Sequence, residues 1–153
     1  MDKFDVKEIV SQDTIKLSFS GHLNENAALP EFKRFSNVII NLRDVKYINS
    51  AGTRSWCIWI KTMPTGIKIS FEECPMLFVK AFNYIIGFLP QNSIVDSFSV
   101  PFVSDDEEEF TVLLYRRGEH FDEYGIKQVK VLDSKGKPME IDVANSYFSF
   151  LKK

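Results

Sequence analysis

Between Asn37 and Leu42 the chain reads NVIINL, a β-branched, largely apolar run. Successive strand side chains point to opposite faces, so such a run needs cover on both sides and reads as a central strand of a layered fold. The residues after it decide what provides that cover. RDVKYI leads to Asn49 and Ser50, whose short side chains can accept from the free N–H groups that open a helix. A helix is predicted from about Ala51 to Met63. Trp56, Trp59, Ile60 and Met63 recur at spacings of three and four, Arg54 and Lys61 are available to face solvent, and Pro64 and Gly66 end the run.

The same logic repeats downstream. IKISF reads as a strand, EECP as its exit, and Pro75 as the first position of a helix that reaches Ile86, with Gly87 as its C-terminal cap. Leu77, Phe78, Ala81, Phe82 and Ile85 give this second helix one apolar stripe. Upstream, TIKLSF from Thr14 to Phe19 alternates as a half-buried strand does. Residues 28–35, ALPEFKRF, are compatible with a loop, a short helix or a strand. SIVDSFSVPFV, from Ser93 to Val103, alternates again, with Pro101 marking an edge or an exit. Strand, helix, strand, helix, strand predicts an α/β layer with parallel neighbours and crossover helices.

Beyond Val103 lies SDDEEE, which reads as a solvated loop, followed by three strand-like pieces, FTVLLYRR, KQVKVLDS and MEIDV. The expected organisation is an α/β domain over residues 1–103 and a small β subdomain over 104–153, with the aromatic NSYFSFLKK docked on one or the other.

Composition narrows the function classes. A formal net charge of -2 and a pI of about 5.7 offer no basic face for nucleic acid. Cys57 and Cys74 lie in apolar segments, too far apart for a CxxC pair, and read as buried thiols. Without an apolar leader or an eighteen-residue apolar stretch, the expectation is a cytoplasmic chain with no membrane span. His22 and His120 stand alone and read as plain surface groups, with no HExxH or GxSxG pattern and no Gly-rich phosphate loop. The acids from Asp105 to Glu109 lack the alternating spacing of a calcium loop. No catalytic residue, metal or cofactor is predicted.

The turn at Ser50 is the exception, because it sets a hydroxyl at the positive end of a helix dipole. A phosphate there would meet free N–H groups, and its charge of roughly -1.5 to -2 would repel or block a partner. The competing reading makes Ser50 only a helix cap, worth about 1 kcal/mol.

The stretch VIINLRDVKYINSAGTRSWCIWI resembles the signature of STAS domains, the fold of bacterial anti-sigma-factor antagonists, in which a hydrophobic strand leads into a D-S-x-G turn at a helix start. Ser50 matches the serine and Gly52 the glycine; Asn49 stands at the aspartate, and Thr53 and Arg54 replace small or aliphatic residues. The order of elements from Thr14 to Val103 also fits, about two thirds of the chain. The resemblance implies a STAS-like mixed β-sheet with crossover helices on one side. It also implies a non-enzymatic bacterial signalling protein whose serine is phosphorylated by an anti-sigma-factor-like serine kinase, the unmodified form alone binding that kinase. The partner-binding residues would be Asn49, Ser50, Ala51, Gly52 and Thr53. The alternative is a constitutive scaffold or homodimerisation module. The tail, from VPFV through the acidic loop to DSKGKPMEID, resembles a zinc ribbon whose two cysteine knuckles have been replaced, with Gly136 and Pro138 keeping the turn. Without the four thiolates of such a site, no metal is expected there.

Overall fold

A computed structural model of the protein describes residues 2–32 and 35–152. Lys33 and Arg34, within the ambiguous 28–35 segment, lie outside the described residues; residues 28–32 form no helix or strand. The chain opens with β1 (Asp5–Ser11), which turns back at Gln12 and Asp13 to pair antiparallel with β2 (Thr14–Leu23). Strand β3 (Asn37–Ile48) lies parallel to β2 on its other side and leads directly into helix α1 (Ser50–Ile60). Then come β4 (Lys68–Glu72), helix α2 (Met76–Tyr84) and the short β5 (Ser93–Val95), completing a sheet in the order β1-β2-β3-β4-β5.

Burial in β2 alternates strictly, with Ile15, Leu17, Phe19 and Leu23 inward. Phe19 meets Trp56 and Trp59 of α1, while Phe71 of β4 meets Trp56 and also Phe82 of α2. Both helices therefore cover one face of the sheet. The opposite face is polar at its centre, where Lys16 pairs with Glu72 at 2.6 Å and Asn41 donates to Glu72 at 3.0 Å.

After β5 the chain bends at Asp96 and continues as β6 (Ser97–Val103), which pairs antiparallel with β7 (Phe110–Arg116). Two short strands, β8 (Phe121–Asp122) and β9 (Gly125–Ile126), pair with each other, and β10 (Glu140–Ile141) returns to the free side of β6. The sheet β10-β6-β7 thus spans the sequence junction at 103 and 104. A 3-10 helix, Asn145–Lys152, closes the chain by burying Tyr147 and Phe150 against Phe98 and Phe82.

The architecture corrects the expected α/β fold with crossover helices. Among the described residues strand makes up 41% and helix only 19%, in three helices. Four of the seven strand pairings there are antiparallel, and the three parallel ones join β2 through β5. Three local causes account for the difference. The polar N-terminal segment forms β1, because a hairpin supplies main-chain hydrogen bonds regardless of its exposed side chains. RDVKYI extends β3 instead of leaving the sheet. The second helix stops at Tyr84 with Ile85 already extended, short of Ile86.

The acidic loop is also more ordered than a solvated run. Ser104 Oγ donates to Asp106 Oδ1 at 2.6 Å, Lys135 lies 3.5 Å from Asp106, and Glu109 accepts from both the backbone N–H and the hydroxyl of Ser134. The turn that resembles a ribbon knuckle is held by Asp133, whose Oδ1 accepts from the N–H groups of Lys135 and Lys137 at 2.9 Å each.

Candidate functional site

The Ser50 turn lies where β2, β3 and α1 converge. Asn49 is the N-cap: its Oδ1 accepts from Gly52 N–H at 2.8 Å, its carbonyl accepts from Thr53 N–H at 2.9 Å, and its own N–H donates to Leu23 O at 3.2 Å. Its amide nitrogen donates to Glu25 Oε2 at 2.8 Å. A single residue therefore caps the helix and anchors the loop that follows β2 with its side chain, and ties the helix to the end of β2 with its backbone N–H. This contact gives a local reason for asparagine here. An aspartate could cap, but could not donate to Glu25 and would set two carboxylates side by side.

Glu25 is fully exposed, and its carboxyl is held below the ordinary value of 4.5, first by the Asn49 hydrogen bond and then by one from its own backbone. A lowered carboxylate favours the folded state above its unfolded value and loses that contribution as pH falls through the folded one. Two variants separate cap from donor. Asn49→Ala should lower stability by about 1 kcal/mol through loss of the cap. Asn49→Asp keeps the acceptor, so its urea midpoint should lie below wild type at pH 7 and converge on it as pH falls through the lowered Glu25 carboxyl.

Gly52 is buried because the chain leaves no room for a side chain: a Cβ built there would sit 1.9 Å from Leu23 O and 2.5 Å from Leu23 C. The close approach is to the protein's own β2. Ser50 is the first helical residue, exposed, and its hydroxyl makes no hydrogen bond among the described residues. Ala51 and Thr53 are half-buried. The turn is pinned from behind by aromatics. Trp59 Nε1 donates to Pro30 O at 2.6 Å and its ring stacks on Phe32 at 4.6 Å, holding the loop after β2 against α1.

The structure thus brings the five predicted residues onto one helix start, and adds Glu25, 24 positions upstream of Asn49, which local patterning could not reveal. Thr53 also borders a cavity of about 380 Å3 between the end of β3 and α2.

Elsewhere, His120 is buried, contrary to the surface role expected of it. Its Nδ1 accepts from Arg116 N–H at 2.9 Å and its ring stacks on Tyr115 at 5.3 Å, so it serves as a turn anchor. His22 is half-buried beside Tyr47. Cys74 is fully buried, with its thiol pushed well up by desolvation, whereas Cys57 is half-buried. Among the described residues, no three His, Cys, Asp or Glu are grouped to hold a metal ion, and no helix is long and apolar enough to cross a membrane. No family model matches the chain, and no curated protein matches it.

Proposed function

We propose that this protein is a non-enzymatic, cytoplasmic binding module that engages a protein partner through the helix start from Asn49 to Thr53, with phosphorylation of Ser50 as its control. The observation that carries the reading is the division of labour at the turn. Asn49 performs the capping, which frees the exposed Ser50 hydroxyl for modification or contact. A phosphate at the first helical position adds roughly two negative charges where the helix dipole tolerates them, so the fold would survive while the neutral surface offered to a partner becomes negative. The likeness of VIINLRDVKYINSAGTRSWCIWI to the antagonist signature supports a serine kinase as the modifying partner.

The test uses Ser50→Ala, Ser50→Asp and the unmodified chain against serine kinases with regulatory roles. Intact-mass analysis should show one added phosphate on the unmodified chain and none on Ser50→Ala. Ser50→Asp should bind the kinase at least tenfold more weakly, while its unfolding midpoint stays near that of the parent. Absence of modification removes the switch, and equal binding by all three proteins removes the turn as the binding site.

A further inference from the structure

Tyr47 and Lys46, at the end of β3, face Lys80 and Tyr84 of α2 across the cavity that Thr53 borders. Its floor is apolar, formed by Ile48, Leu77, Ala81 and Ile85, and its volume of about 380 Å3 lies at the small end of the range of roughly 300–1,000 Å3 for binding cavities. The aromatic rim is left in solvent, Tyr47 at 53% and Tyr84 at 77% exposure. The charge around it has one sign. Lys46 and Lys80 are both exposed, no carboxylate lines the cavity, and neither lysine forms an ion pair among the described residues, although the chain as a whole is acidic at -2.

We infer that this groove takes a short segment of a separate protein, one that inserts an aromatic or leucine side chain between Tyr47 and Tyr84 and sets carboxylates against Lys46 and Lys80. The inference rests on the reading of the Ser50 turn as a partner surface and identifies the chemistry of the segment that binds beside it. Apolar anchors seated in a groove and flanked by complementary charge are a recurring mode of peptide recognition. A small polar metabolite fits less well, because such sites converge several fixed polar groups on an enclosed ligand, and here Thr53, two tyrosine hydroxyls and two ammonium groups stand around an apolar floor. Ser50 lies between Ile48 and Thr53, which both line the groove. Ser50 does not itself line the groove but stands three residues before Thr53 on α1, one helical turn away, so a phosphate on it would sit beside an acidic segment with like charge, which supplies a physical route from modification to release.

The test is selection of a phage-displayed random dodecapeptide library on the full chain, with counter-selection on the Lys46→Glu/Lys80→Glu double variant. Enriched sequences should combine a Phe, Trp or Leu anchor with two or more Asp or Glu. A synthetic peptide from the pool should lose at least tenfold in affinity against Lys80→Glu and against Tyr84→Ala, both of which should unfold at nearly the parent midpoint. No enrichment, enrichment of neutral or basic sequences, or equal binding by both variants overturns the groove. A second copy as the occupant would appear as self-association of the parent chain in sedimentation equilibrium, abolished by Lys80→Glu, and would overturn the assignment to a separate partner. The Ser50→Asp protein separates the two readings. If it binds the acidic peptide as the parent does while Lys80→Glu does not, the groove stands and release of its segment by a phosphate on Ser50 falls. If Ser50→Asp alone loses binding to the kinase and the groove variants keep all binding, the turn stands and the groove falls.

Discussion

Trp56→Ala is expected to destabilise the protein by about 3–5 kcal/mol, the range for removing a fully buried large aromatic side chain. Trp56 is 0% exposed and is where the two helices and the sheet meet. Its ring stacks on Phe88 at 5.1 Å, meets Phe78 edge-on at 5.2 Å, and lies within about 6 Å of Phe19, Trp59 and Phe71. Its Nε1 also donates to Phe88 O at 2.8 Å, tying α1 to the segment after α2. Alanine would remove the packing and orphan that carbonyl together. In a chain of this size the loss corresponds to a fall in melting temperature on the order of 10 °C. Trp56→Phe separates the contributions, since it retains an aromatic ring but leaves the carbonyl unpaired, at about 1–3 kcal/mol. Urea unfolding of the three proteins side by side is the measurement. Equal midpoints would mean that the helix–sheet junction does not depend on Trp56.

Gly52→Ala should cost about 1–3 kcal/mol even though alanine is the better helix former by roughly 1 kcal/mol. A methyl at this position meets the Leu23 carbonyl, which is main chain, so no side-chain rotation relieves it. The start of α1 must move away from the end of β2, stretching the Asn49 N–H to Leu23 O hydrogen bond and drawing Asn49 away from Glu25. The displacement falls on the turn proposed to bind the partner. Gly52→Ala should therefore lose partner affinity as well as stability. Chemical unfolding together with titration of the partner measures both. An alanine variant as stable as the parent would show that β2 and α1 are not in close contact.

Much of the local structure is legible from periodicity. The alternation in TIKLSF and the β-branched run NVIINL both become strands. The three- and four-residue spacing of Trp56, Trp59 and Ile60 becomes the buried face of α1, and Asn49 takes the cap that its side chain favours. Elements without a pattern of their own went unread. The side chains of β1 are almost all exposed, so no alternation marks it, and its strand character comes from main-chain pairing with β2. The bend at Asp96 was invisible within an alternating run. It arises where the chain stops pairing with β4 and begins pairing with β7, and Asp96 N–H still donates to Phe71 O at 2.7 Å on the β4 side. His120 carries no signal of burial in a polar loop; the Tyr115 ring and the Arg116 N–H provide it.

The amino-acid sequence by itself determined the strand–turn–helix unit around Ser50, because hydrophobic period and cap chemistry act over a few neighbouring residues. Only the tertiary structure decided how that unit is surrounded. The preponderance of strand, the hydrogen bond from Asn49 to Glu25, the contact of Gly52 with Leu23 and the groove that joins Lys46 and Tyr47 to Lys80 and Tyr84 all bring together residues from separate elements. Pairing and packing at that range depend on which strands become neighbours, and main-chain hydrogen bonds, identical at every residue, leave no trace of that choice in the local pattern.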